Sequence, residues 1–97
     1  MFRHVALFRW HEGVSAAQKE AVGTALGGLP ALIPELRAYH FGADIGLAAG
    51  NSDFAVVADF DDEAGWRVYS DHPAHQQIIV DIVRPITAER AAVQYEF

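Results

Sequence analysis

From Phe2 to His11 the side chains alternate, with Phe2, His4, Ala6, Phe8 and Trp10 on one face and Arg3, Val5, Leu7, Arg9 and His11 on the other. A period of two marks a β-strand. Large apolar groups lie on both faces, so this strand is predicted to be covered on both sides. One layer of helices covers only one side of a sheet, and something else has to cover the second.

The rest of the chain fits that requirement. Ser15 and Gln18 form a capping box, and Ala17, Ala21, Val22, Ala25, Leu26 and Leu29 recur at helical spacing until Pro30, predicting a helix over Ser15 to Leu29. Ile33-Pro34-Glu35-Leu36 reads as a turn, because proline pushes the residue before it out of the helical region. A second strand is predicted over Arg37 to Ile45, then a small-residue loop from Gly46 to Asn51, then the clearest strand, Phe54 to Phe60. Asp61, Asp62 and Glu63 put negative charge where a helix N-terminus favours it, starting a helix that reaches Tyr69. A short helix follows from Pro73 to about Val83, and Ala91 to Phe97 forms the last strand.

The order is β-α-β-β-α-β with an extra short helix, an α+β, ferredoxin-like arrangement of one antiparallel sheet with helices on one face. Phe8, Trp10, Phe54, Val56 and Phe60 are expected on the uncovered face, where an apolar patch of that size marks an interaction surface. Two such sheets packed face to face give a homodimeric α/β barrel. No repeat, linker or low-complexity segment divides the chain, so residues 1–97 are expected to form one domain.

Composition narrows the partners. Hydrophobic residues make up 52% of the 97 residues, above the roughly 45–50% of an ordinary soluble domain, which again implies an extra buried face. The formal charge is -6, and the seven Lys and Arg residues are scattered, so neither nucleic acid nor an anionic membrane is an expected partner. The absence of cysteine removes disulfides and thiolate chemistry and is compatible with a reducing compartment. Arg9 and Trp10 interrupt the apolar N-terminal stretch before it resembles a signal peptide, and no run approaches the ~20 apolar residues of a membrane span. The expected location is the cytoplasm.

The chemistry concentrates in Tyr69-Ser70-Asp71-His72-Pro73-Ala74-His75. Proline is favoured at the first helical position, which makes His72 the N-cap and His75 the third helical residue. The partial positive charge of a helix start disfavours imidazolium, so His75 is expected to stay neutral and able to accept a proton beside the Tyr69 phenol. The competing reading is architectural, with His72 as a helix cap and His75 bonded to a nearby backbone carbonyl.

The box His72-Pro73-Ala74-His75, with the histidine of Arg3-His4-Val5-Ala6-Leu7-Phe8 and with Ile33-Pro34-Glu35-Leu36 before the second strand, resembles the stress-responsive dimeric α/β-barrel (Dabb) family over nearly the whole chain. The resemblance implies a ferredoxin-like homodimer. In a plant polyketide cyclase of that family, the histidine closing the box is the base and the tyrosine six residues earlier polarises the substrate. The matching residues are His75 and Tyr69, with His4 matching the histidine of the first strand. Chemistry of that kind needs no cofactor. Phe54 appears where that cyclase has another cavity histidine, which implies a different cavity polarity.

Other patterns carry less. His72 and His75 are three apart, but spacing supplies no third metal ligand, and the run Asp59 to Glu63 lacks the spacing of a calcium loop, so no metal is expected. The glycines follow no phosphate-cradling pattern and no serine sits in a nucleophile elbow. Arg9 and Arg84 either hold a carboxylate or pair with surface acids, and spacing does not decide between them. The expectation is therefore a cofactor-free dimer binding a small apolar or aromatic molecule near His4, Phe8, Phe54, Val56, Tyr69 and His75. The alternatives are a polyketide cyclase-like enzyme using His75 and Tyr69, a cofactor-free monooxygenase and a purely structural dimer.

Overall fold

The computed structural model describes residues 1–97. Strands β1 (Phe2–Trp10), β2 (Ala38–Ala43), β3 (Phe54–Phe60) and β4 (Thr87–Glu96) form one sheet in the order β2-β3-β1-β4. Every neighbouring pair is antiparallel. Helices α1 (Ala16–Leu26), α2 (Leu29–Leu32), α3 (Glu63–Asp71) and α4 (Pro73–Ile78) accompany it, the last running on through a π turn (Ile79–Val83) and a 3₁₀ turn (Arg84–Ile86). This is the expected ferredoxin-like α+β arrangement. No helix is long and apolar enough to cross a membrane.

The face assignment differs from expectation. Phe8, Trp10, Phe54, Val56 and Phe60 are buried against the helices, together with Phe2 and Ala6. Their side chains form the core between sheet and helices, and Val22 and Leu26 of α1, Leu29 and Ile33 pack into it. The uncovered face carries the smaller residues Val5, Leu7, Ala55, Val57, Ala91 and Val93, brought together by the pairings of Val5 with Val57 and Val93 and of Leu7 with Ala55 and Ala91. Leu7 remains 39% exposed and Val93 56%. Alternation shows that two faces exist but not which one the helices take.

Three boundaries move as well. The Ser15–Gln18 capping box forms, but α1 stops at Leu26, where Gly27 and Gly28 follow and Pro30 sits in the first turn of the separate α2. The second strand is shorter than predicted, ending at Ala43. The last strand begins at Thr87 rather than Ala91 because its polar first residues pair through their backbone with β1, as in Arg9 with Glu89 and Phe8 with Arg90. The acidic run is divided among local partners: Asp59 takes a bidentate contact from Arg3 at 2.7 and 2.8 Å, Asp61 pairs with Arg37, Asp62 caps α3 through the Gly65 amide and Glu63 pairs with Arg67.

Candidate functional site

The corner between α3 and α4 sets the site. The extended conformation of His72, required before Pro73, ends α3. His72 Nδ1 then accepts from the Ala74 amide at 3.1 Å and caps α4. That capture takes the amide that would otherwise serve the Ser70 carbonyl, which becomes one of the orphan acceptors of a helix end. Two side chains turn back to it, Gln76 Nε2 at 2.6 Å and His75 Nδ1 at 3.1 Å. The architectural roles read from the sequence are thus both present.

They also decide the chemistry of His75. A carbonyl only accepts, so Nδ1 carries the proton and Nε2 carries the lone pair. Burial holds His75 below the usual imidazole range, with the Arg90 and His72 charges adding to that and the Ser70 bond opposing it. The Tyr69 ring lies against that of His75, centroids 4.2 Å apart.

His4 has the opposite polarity. Its Nδ1 accepts from Gln94 Nε2 at 2.9 Å, across the pairing of β1 with β4, so its proton is on Nε2. His4 is only 6% exposed. Burial, helped by the charges of Arg90 and His75, pushes its pKa down to about 4. The Nε2 atoms of His4 and His75 have no partner in the chain, yet no buried side-chain nitrogen or oxygen is left unpaired, so both nitrogens open onto accessible space.

That space is a half-open cavity of about 550 Å³ between the sheet and the α1, α3 and α4 side, lined by both histidines. Its volume lies within the ~300–1,000 Å³ of small-molecule sites. Val22, Leu26, Ile79 and Val83 supply an apolar wall, and Arg84, Arg90 and Gln94 lie along the polar side. A π turn at Ile79–Val83 widens the helix where it meets the cavity, a departure common at functional sites.

Of the residues expected at the site, His4, Phe8, Val56, Tyr69 and His75 line this cavity. Phe54 does not: it packs between Trp10 and Phe41, with ring centroids 5.8 and 6.3 Å away, nearer the other end of the sheet. Tyr69 is 4% exposed, and its hydroxyl lies 2.9 Å from that of Tyr39, which is outside the cavity lining. Burial raises the pKa of both phenols, keeping both protonated. Arg90, Gln94 and the π turn are lining features that the sequence reading missed. Of the two arginines left open, Arg9 pairs with Glu89 and Arg84 reaches the cavity.

No three metal-ligating side chains gather anywhere in the chain. No curated protein matches it at a significant level. Solved structures do. A dimeric ferredoxin-like protein of unknown function from Thermobifida fusca is 57% identical, with 99% of this chain and 90% of that one covered and a TM-score of 0.92. A dimeric protein of unknown function and ferredoxin-like fold from Bacteroides fragilis is 26% identical, with coverage of 99% and 95% and a TM-score of 0.83. The hydroxynitrile lyase from Passiflora edulis is 19% identical, with coverage of 97% and 90% and a TM-score of 0.83, a likeness of fold alone. The model of the Stress Responsive A/B Barrel Domain family matches residues 2–97. The chain belongs to that family, Dabb.

Proposed function

We propose that the protein is a cytoplasmic homodimeric barrel whose protomer cavity binds a small, largely apolar or aromatic molecule carrying a carbonyl or hydroxyl group. One observation carries the reading. Within a single cavity two neutral imidazoles offer opposite hydrogen-bonding roles, His75 Nε2 as acceptor and His4 Nε2–H as donor, beside an apolar wall. A purely structural core would have no use for two unpaired imidazole nitrogens facing open volume. Dimerisation through the open face of Val5, Leu7, Val57 and Val93 is supported by the dimeric state of similar proteins.

Native mass spectrometry of the protein purified without added ligand, compared with its denatured mass, tests this. A dimer that carries a small molecule, or retains an added apolar aromatic probe, is expected. A dimer that retains neither would overturn the binding role, and a monomer at micromolar concentration would overturn the barrel.

The tautomer of His75 favours a second reading, cofactor-free proton abstraction as in polyketide cyclisation. Nε2 would take an acidic C–H proton, and the electron pair would move onto the neighbouring carbonyl oxygen to give an enolate. With Tyr39 donating to Tyr69, the Tyr69 proton would be free to bond that oxygen. His75→Gln would then stop turnover of a β-polyketo substrate while only altering ligand affinity; unchanged turnover would exclude His75 as the base.

A further inference from the structure

The chain has six arginines, and four of them are paired with carboxylates: Arg3 with Asp59, Arg9 with Glu89, Arg37 with Asp61 and Arg67 with Glu63. The other two, Arg84 and Arg90, have no carboxylate partner, and both line the cavity. This happens in a chain where thirteen Asp and Glu residues outnumber seven Lys and Arg. Surface arginines in so acidic a protein readily find acids, so two left unpaired at one cavity point to a charge supplied from outside.

Their positions suit that role. Arg90 is opposite Phe8 on the helix-facing side of the β1–β4 pairing, with its guanidinium carbon 6.0 Å from the Phe8 ring centroid. Glu89, next in the chain, points to the other face and is paired with Arg9. Arg84 reaches the same cavity from the end of the π turn. The charge of Arg90 is felt at His4, Tyr69 and His75 alike, which locates it within electrostatic reach of all three. An anion bound at Arg90 would offset that charge.

We infer that the ligand is an organic acid, an aromatic or apolar carboxylate whose carboxylate is held by Arg90 and Arg84 at the cavity rim while its body lies against Val22, Leu26 and Val83. The planar guanidinium fork matches a carboxylate in two parallel hydrogen bonds. The inference rests on the reading of the cavity as a binding site and adds the charge of the ligand to it.

Isothermal titration with 2-naphthoate and with its neutral isostere 2-naphthamide separates the two. The native protein is expected to bind the acid about tenfold or more tightly than the amide, the preference fading with salt. In the Arg84→Gln/Arg90→Gln double variant, which removes no internal ion pair, the acid should fall to about the affinity of the amide, and the amide should change far less than the acid. Equal affinity for acid and amide in the native protein would overturn the inference while leaving the binding site intact; it is also the result expected if the partner's acids neutralise these arginines. A double variant that keeps its preference for the acid would overturn it as well. If neither probe binds, the binding site itself is refuted, and the inference with it.

Discussion

The Tyr39 hydroxyl lies 2.9 Å from the Tyr69 hydroxyl, joining β2 to α3 by a single bond between two phenols. The two rings also meet edge to face, with centroids 5.8 Å apart, and Tyr69 in turn packs on His75. A residue outside the cavity thereby fixes the orientation of one that lines it.

Removing either hydroxyl leaves the other unpaired. Tyr39→Phe and Tyr69→Phe are each expected to cost about 1–2 kcal/mol. The double substitution should cost less than the sum of the two, by on the order of 0.5–1 kcal/mol, since it removes both unsatisfied groups at once. Urea unfolding of the four proteins measures this; additive losses would mean the hydroxyls act independently.

Stability should fall on acidification. The folded pKa of His4 is about 4, below the ordinary 6.5, and that of His75 is also lowered. Between those values the unfolded chain binds more protons than the folded one, so stability is full above about pH 6.5 and is lost as pH falls toward about 4. The loss from His4 is on the order of 2 kcal/mol, allowing for water in the cavity. Unfolding free energy measured against pH should show this slope, and His4→Gln should flatten it; a flat native profile would rule out a buried neutral His4.

His72→Ala removes the cap from the Ala74 amide. A loss of about 1 kcal/mol is expected, with faster amide exchange confined to α4 and the end of α3. Exchange that rises uniformly over the molecule would show that the corner is not a local unit.

Leu7→Glu puts a charge in the middle of the open sheet face, beside Ala55 and Ala91. Burying an unpaired carboxylate between two sheets costs several kcal/mol, so light scattering should find a folded monomer. A dimer of native affinity would place the interface elsewhere.

The local parts of this architecture were legible. Strand β1 announced itself by alternation, α1 by the Ser15–Gln18 box, and the α3–α4 corner by Pro73, because each signal lies within a few residues of the structure it specifies. What depends on distant pairing was not. Arg90 and Gln94 join the site only through the register that sets them opposite Phe8 and His4. Tyr39 reads as one of several alternating strand residues until α3 brings Tyr69 to it. Phe54 shares a face with Val56, but it lies at the end of β3 and packs with Trp10 and Phe41 instead of lining the cavity. Face alone does not tell the two apart.

The opposed histidines are tested most directly by ¹⁵N NMR of the imidazole rings across pH. His75 should carry its proton on Nδ1 and His4 on Nε2, with both rings neutral at pH 7 and titrating below the ordinary 6.5. A proton on His75 Nε2, or either ring charged at neutral pH, would contradict a cavity that pairs one accepting and one donating histidine.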